Sequence, residues 1–258
     1  GQIFVSTLDK TDSVIRSNTL MRSATQAVDA ERTVTSEATL RGMAWNSGPG
    51  GPETMVEAVS PITGKTFTQR PDMAPMAELD VAYIVDDGTY LRQAGYLKEA
   101  DMVRALATLN AGGVLVPDPD LINGAGQVQL RSLDMADIAA AKAQGVSDSA
   151  LPDARVLRSQ TFAASPLTRV NVMVLSPAAA TALRLNSVPL GQLLTVNKPV
   201  NTVDAPAFQA TIARQVPGAS AQVITPTMRS IVLPYVAALI AIVAAAATVA
   251  LVEIGRAH

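Results

Sequence analysis

Two acidic pairs are the densest groups of side chains that could do chemistry. Asp86 and Asp87 are adjacent, and Asp118 and Asp120 are separated by one proline. Two carboxylates held close together can act as general acid and base, or they can bind a cation. Neither pair has the spacing of a calcium-binding loop, and Asp is common in turns because its side chain accepts hydrogen bonds from nearby backbone N–H groups. The pattern therefore favours turn residues over a catalytic or metal site.

Two short glycine motifs are similar to pieces of nucleotide-binding loops. Gly64 is followed by Lys and Thr, as at the end of a phosphate-binding loop, but Val59 stands where that motif requires another glycine. Gly124 and Gly126 are only a fragment of a dinucleotide signature. We therefore predict a hairpin turn at the first motif, a loop at the second, and no cofactor.

The composition excludes several classes of function. The chain has 258 residues and no cysteine, and its one histidine is His258. Ser-His-Asp triads and histidine metal sites within the fold are thereby excluded, as are disulfides and thiolate chemistry. Lys and Arg total 20 against 22 for Asp and Glu, so no basic excess indicates a nucleic-acid partner.

Strand and helix patterns alternate along the water-soluble part of the chain. We expect an α+β fold with hairpin-paired strands, not a doubly wound parallel sheet. Residues 55–59 are predicted to form a hairpin with the strand at 34–43. Asp204 is predicted to cap the helix that begins directly after it. The other predicted strands are 2–7, 81–85, 114–116, 127–132, 155–162, 170–175, 193–196 and 222–225; the predicted helices are 13–31, 90–95, 99–110, 135–144, 177–185 and 205–216.

An apolar run at residues 231–252 carries no charged side chain. A helix of this length, rising about 1.5 Å per residue, crosses a hydrocarbon core of roughly 30 Å. Its many alanines allow close packing against a neighbouring helix. We therefore predict a transmembrane helix in a bundle, and we divide the chain into a soluble domain, 1–228, and a segment, 229–258, that contains this helix and the start of the next region.

The orientation of this helix is not decided by charge. Arg229 precedes the apolar run, and Glu253 and Arg256 follow it, so one arginine lies on each side. Two alternatives stay open at this point: a cytosolic domain with a tail anchor, or a fragment from which an earlier membrane helix has been cut away.

Four stretches carry a family resemblance. They are Ala-Leu-Val-Glu-Ile-Gly-Arg-Ala-His at residues 250–258, Val-Ala-Tyr-Ile-Val-Asp-Asp at 81–87, Ala-Gly-Gly-Val-Leu-Val at 111–116 and Val-Leu-Ser-Pro-Ala-Ala-Ala-Thr-Ala-Leu-Arg-Leu at 174–185. Together with the layout of the chain, they resemble FtsX-like (MacB-type) permeases of ABC transporters, in their actinobacterial branch.

The resemblance implies an orientation and a function. Residues 1–228 would be an extracytoplasmic domain at a bacterial cell membrane, and Glu253, Gly255, Arg256 and His258 would begin a cytoplasmic coupling segment. The chain would be a non-catalytic permease subunit that couples ATPase-driven helix motion to export or mechanotransmission. Its partners would be an ABC ATPase subunit, the lipid bilayer and a second permease half in a dimer or pseudo-dimer.

Two other functions remain as alternatives. One is a single-pass, membrane-anchored sensor or ligand-binding protein. The other is an anchored enzyme that uses the acidic pairs. A short junction, residues 225–231, would join the domain to the helix in each case, and we expect it to carry helix motion into the domain if the chain is a permease.

Overall fold

The computed structural model describes residues 1–7, 14–42, 54–62, 64, 83–95, 97–134, 156–167 and 172–224. The strands are β1 Gln2–Thr7, β2 Val34–Gly42, β3 Thr54–Val59, β4 Tyr83–Val85, β5 Val114–Val116, β6 Gln127–Asp134, β7 Val156–Pro166, β8 Met173–Leu175, β9 Val188–Val196 and β10 Ala219–Ile224. The helices are α1 Val14–Glu31, α2 Thr89–Ala94, α3 Glu99–Asn110, α4 Pro177–Ala182 and α5 Ala205–Gln215, and a 3-10 turn covers Pro119–Leu121.

The described strands form one mixed sheet of ten, in the order β10-β1-β9-β2-β4-β8-β5-β7-β6-β3. The pairs β4–β8 and β5–β7 are parallel, and the other neighbours are antiparallel. Strand β7 pairs with two different strands: residues 156–163 pair with β6, and residues 164–166 pair with β5. The predicted α+β class is confirmed for the described residues, because a doubly wound sheet would be mainly parallel.

Strand β1 shows how the sheet buries both of its faces. Successive side chains of a strand point to opposite faces, and Ile3, Phe4 and Val5 are all buried. Ile3 and Val5 pack with residues of α1 and α5, including Val28 and Ile212. Phe4 packs on the other face in the cluster that includes residues of α2 and α3. Helices therefore cover both sides of this part of the sheet.

The central strands divide their side chains between two apolar clusters. Ile84, Leu115 and Val174 belong to the cluster of α2 and α3. Their neighbours along the same strands, including Val85 and Leu175, pack instead with α4 and with strands β3 and β6. Because both faces are buried, these strands are continuous apolar runs, as is typical of the inner strands of a covered sheet.

The predicted hairpin between residues 34–43 and 55–59 is wrong. Strand β2 pairs with β4 and β9, whereas β3 pairs with β6 at the edge of the sheet. Val56 and Ala58 are buried beside Val128 and Leu130 of β6. Burial of side chains across strands stabilises a pairing, and here it outweighs closeness along the sequence.

The predicted role of Asp204 also needs correction. Asp204 stands at the position before α5, but its side chain makes no capping bond to the helix. Its carboxylate instead accepts a hydrogen bond from the side-chain amide of Asn201, at 2.7 Å. A carboxylate held by a neighbouring loop residue is turned away from the N–H groups that it would otherwise cap.

The predicted helix at 135–144 and the predicted transmembrane helix at 231–252 lie outside the described residues. Among the helices that the structure does describe, none combines the length and apolar character that crossing a membrane requires.

Candidate functional site

Residues from both ends of the described domain lie side by side at one end of the sheet. Gln2 and Ile224 are cross-strand partners in the antiparallel pair β1–β10. Gln2 also pairs with Thr195 of β9, and the amino group of Gly1 donates to the carbonyl of Val196 at 3.0 Å. We call this end of the sheet, made of Gly1, Gln2, Thr195, Val196 and Ile224, the junction end.

The junction end is tied to helix α2 by two glutamine side chains. The side-chain amide of Gln2, which is buried, donates to the main-chain carbonyl of Gln93. The side-chain amide of Gln93 in turn donates to the carbonyls of Leu193, at 2.8 Å, and Ser36, at 3.3 Å. Gln2 and Gln93 thus connect the last turn of α2 to strands β1, β9 and β2.

The first acidic pair holds the start of α2. The carboxylate of Asp86 is buried and accepts hydrogen bonds from the backbone N–H groups of Tyr90, at 3.0 Å, and Leu91, at 2.9 Å. Burial raises the pKa of Asp86 above its ordinary value, and the backbone hydrogen bonds oppose this only in part. Both carboxylate oxygens therefore satisfy backbone donors, which is a structural use of this side chain.

Asp87 is exposed and also accepts from the backbone. Its Oδ1 takes a hydrogen bond from the N–H of Thr89 at 2.9 Å. Hydrogen bonds from the Thr89 side chain and backbone lower the pKa of Asp87. The interpretation of this pair as turn residues is confirmed.

The second acidic pair begins the 3-10 turn. Asp118 accepts a hydrogen bond through Oδ1 from the N–H of Asp120 at 2.9 Å. Within the described ranges, no group of three or more His, Cys, Asp or Glu residues could hold a metal ion. Asp118 therefore has a turn role, as its sequence position predicts.

The two glycine motifs form turns where the structure describes them. Gly124 and Gly126 lie in a turn in which Asn123 Oδ1 accepts from the N–H groups of Ala125 and Gln127, both at 3.0 Å. The predicted loop is therefore confirmed. Gly64 donates its N–H to the carbonyl of Ser60 at 2.9 Å, while Lys65 and Thr66 lie outside the described residues.

An open groove runs between helix α5 and strand β10. Its lining consists of small and amide side chains: Pro206, Gln209, Ala210, Ala213, Ala219, Ser220, Ala221 and Gln222. None of these side chains titrates near neutral pH, so the groove offers apolar contact and hydrogen bonds, and its lining supplies no acid or base for catalysis.

Three of the stretches that carry the family resemblance converge in the centre of the sheet. Residues 81–87 and 111–116 contain β4 and β5, and residues 174–185 contain the last two residues of β8. These strands lie next to each other in the order β4-β8-β5. Leu115 and Val174 are fully buried there. A Cβ on Gly113 would lie 2.4 Å from the carbonyl oxygen of Ala163. These stretches therefore build the core, and the fourth, at 250–258, lies outside the described residues.

The sequence analysis missed the Gln2–Gln93 contact. The two residues are 91 positions apart, and a glutamine has no pattern that distinguishes a buried link from a surface side chain. The predicted coupling residues, Glu253 and Arg256, lie outside the described residues.

Comparison with known proteins gives a similarity to solved structures but none to protein families or curated proteins. No protein-family model matches the chain, and no curated protein matches it. The chain is similar to the crystal structure of the periplasmic region of MacB from Actinobacillus actinomycetemcomitans, with a TM-score of 0.35 and 9% sequence identity. The similarity covers 86% of this chain and 87% of that chain. At this identity, no residue role is transferred from that protein to this chain.

Proposed function

We propose that this chain is the extracytoplasmic domain and following transmembrane segment of a permease subunit of a bacterial ABC transporter. The domain is non-catalytic, and it couples the motion of membrane helices to export or to mechanical signalling. ATP is hydrolysed on a separate partner subunit. The observation that carries the proposal is the pairing of Gln2 with Ile224, which brings both ends of the domain together.

This geometry fits a domain whose last strand leads directly into a membrane segment. Strand β10 ends at Ile224, where it pairs with the start of β1, and the apolar run begins shortly afterwards at Ile231. A stretch as long as residues 225–230 spans at most about 20 Å when fully extended. A displacement of the apolar segment is therefore delivered close to strand β10.

The hydrogen bonds of the junction end support a role in transmission. β10 pairs with β1 along its length, and β1 contacts α2 through Gln2 and Gln93. A movement of β10 thus has a connected route to a helix that covers the sheet. The bonds from Gln2 to Gln93 and from Gln93 to Leu193 are part-buried, and the bond from Gln93 to Ser36 is exposed; together they hold α2 to the sheet at several points.

The proposed partners are those that the family resemblance implies. Glu253 and Arg256 form the cytoplasmic exit that contacts the ABC ATPase subunit. The alanine-rich face of the apolar segment packs against other membrane helices, in a dimer or pseudo-dimer of permease halves.

A membrane-anchored sensor or ligand-binding protein is the second candidate. The groove between α5 and β10 favours it, because a ligand bound there would contact the strand that leads to the membrane segment. The two candidates differ in what moves β10: a partner ATPase in the first, and a ligand in the second.

The experiment that tests the proposal lengthens the junction at residues 225–231, between the domain and the apolar run. A Gly/Ser linker is inserted between Pro226 and Ser230 of the whole protein, which is reconstituted in vesicles with the ATP-binding-cassette subunit that co-purifies with it. Because the chain contains no cysteine, a fluorophore on Gln209→Cys reports on the groove beside β10. We expect ATP to change this fluorescence in the parent protein and not in the lengthened variant, with ATP hydrolysis continuing in both.

The matched control places the same linker between Gly124 and Ala125, in an exposed turn far along the chain from the junction. It should leave the ATP response intact. A response that survives in the Pro226–Ser230 variant rules out coupling through the junction. Failure of any ATP-binding-cassette subunit to co-purify with the chain rules out the permease proposal, and a ligand-dependent response in its place supports the sensor.

A further inference from the structure

The loop at residues 197–204 lies at the junction end. It follows Val196, whose N–H donates to the carbonyl of Gly1 at 2.9 Å. The N–H of Asn197 donates to the carbonyl of Thr33 at 3.0 Å. Pro199 packs so closely on Gly1 that a Cβ there would be 2.6 Å from the Pro199 Cα. The loop is therefore the part of the domain next to the Gln2–Ile224 pair.

The loop holds one apolar side chain out into solvent. Asn201 and Asp204 bond each other twice at 2.7 Å: the Asn201 side-chain amide donates to Asp204 Oδ2, and the Asp204 N–H donates to Asn201 Oδ1. Val200 is buried in the cluster of α1 and α5. Between these fixed points, Val203 is 84% exposed. Because the loop is already ordered, burying Val203 against a partner requires little further loss of conformational entropy.

The position of the loop indicates which partner is within reach. β9 and β10 flank β1 on either side, so the start of the loop is about 10 Å across the sheet from Ile224. The apolar run begins at Ile231, which residues 225–230 place within about 25 Å of Ile224. A bilayer that contains this run therefore has its surface near Val203.

The charges of the loop favour an apolar contact over an electrostatic one. Two cationic side chains, Lys198 and Arg32, lie at this end of the sheet. Three exposed carboxylates, those of Asp29, Glu31 and Asp204, lie there as well. These charges do not add to a positive patch that would attract anionic lipids. A single apolar side chain suffices for contact when the domain is tethered, because the tether gives a high effective concentration at the surface.

We propose that the loop at residues 197–204 rests on the outer surface of the lipid bilayer, with the Val203 side chain buried at the boundary between headgroups and acyl chains. The contact fixes the height of the junction end above the membrane, so that a displacement of the apolar segment moves β10 relative to β9. This proposal rests on the proposed function, since it requires that residues 231–252 span the bilayer.

The experiment uses three single-cysteine variants of the whole protein in phosphatidylcholine vesicles, each labelled with an environment-sensitive fluorophore. Val203→Cys reports on the loop and Ala247→Cys on the apolar segment. Val103→Cys is the matched control, because Val103 is also an exposed valine, at 62%, and its helix α3 packs against β5 and β7. Lipids that carry a quencher near the headgroup are then added to the vesicles.

We expect quenching at Val203→Cys to exceed that at Val103→Cys by about twofold or more, since interfacial apolar residues are buried roughly 5–10 Å below the headgroup surface. If Ala247→Cys is quenched and the other two positions show equal, low quenching, the lipid contact of the loop is overturned. The proposed function then stands, because the apolar segment is in the bilayer. Equal, high quenching at Val203→Cys and Val103→Cys also overturns it, because the contact is then not specific to the loop. No insertion at Ala247→Cys overturns both proposals.

Discussion

The Gln2 side-chain amide donates a hydrogen bond to the backbone carbonyl of Gln93, whose own side chain bonds the carbonyls of Leu193 and Ser36. One residue of α2 thus contacts the three strands β1, β9 and β2 at or near the junction end. The first strand of the chain and the first helix after β4 are joined by polar bonds as well as by the apolar core.

Replacement of Gln93 by leucine should destabilise the domain. The variant keeps most of the side-chain volume but removes both side-chain bonds, so the carbonyls of Leu193 and Ser36 each lose one donor. We expect the free energy of unfolding to fall by about 1–2 kcal/mol, as measured by urea denaturation. Gln129→Leu is the control, since Gln129 bonds Ser159 at an exposed position and should change stability by less than about 0.5 kcal/mol. Equal effects of the two variants would show that the Gln93 bonds add no stability.

Asp86 should make the domain less stable as the pH rises. Burial raises the pKa of Asp86 in the folded state above 3.8, so the folded protein holds the proton more tightly than the unfolded protein does. This contribution is present below the unfolded pKa and is lost as the pH rises through the folded pKa. We therefore expect the stability of the parent relative to Asp86→Asn to decrease as the pH rises from about 4 through the raised folded-state pKa of Asp86.

The variant Asp87→Asn should show the opposite dependence of stability on pH. The pKa of Asp87 is lowered in the folded state, so the stabilising contribution of this carboxylate is present above the unfolded pKa and is lost as the pH falls. The stability of the parent relative to Asp87→Asn should therefore increase with pH over the acidic range. The free energies of unfolding are measured by urea denaturation at matched pH values. If both comparisons changed in the same direction with pH, this would contradict the burial of Asp86.

Gly113→Ala should be strongly unfavourable. The added Cβ would lie 2.4 Å from the Ala163 carbonyl and 2.8 Å from the Thr108 carbonyl, and both are backbone atoms that cannot rotate away. Overpacking of this kind costs about 1–3 kcal/mol, and thermal unfolding would measure it. Gly124→Ala is the control, because nothing lies within 4 Å of its Cβ position, and its melting temperature should stay the same or rise. A melting temperature for Gly113→Ala equal to that of the parent would exclude this contact.

The double substitution of Glu253 and Arg256 by alanine should weaken the proposed partner contact. We expect the affinity for the proposed ATP-binding-cassette subunit to fall by about tenfold, which corresponds to roughly 1.4 kcal/mol, with unchanged folding of the domain at residues 1–228. Binding is measured in detergent with purified subunits. Arg229→Ala, on the other side of the apolar run, should have no effect; a loss as large as that of the double variant would place the contact elsewhere.

The elements predicted correctly are those whose signals are local. Helix α3 ends at Asn110 as predicted, because Gly112 follows it with φ of 79°, a conformation that glycine adopts without strain. β5 follows as a short apolar run with the predicted bounds. Pro177 opens α4 as predicted, with the hydroxyl of Ser176 accepting from the N–H of Ala179.

Long-range relationships were not predictable in the same way. The partner of β3 depends on which apolar side chains share a face, and β6 lies far away along the chain. The role of Asp204 depended on Asn201, a competing donor three residues earlier. Gln2 and Gln93 meet only because the sheet order places β1 beside β9. Each of these depends on the assembled sheet and not on residue type or spacing.

The pairing of Gln2 with Ile224 determines how the domain responds to force. The hydrogen bonds of an antiparallel pair lie across the strands. A thrust directed along β10 is shared by all of the bonds between residues 219–224 and β1. A force that pries Gly1 and Ile224 apart would instead break those bonds one after another, starting at this end. The pairing of β10 with β1 therefore resists a thrust along β10 and yields more easily to a force that separates Gly1 from Ile224.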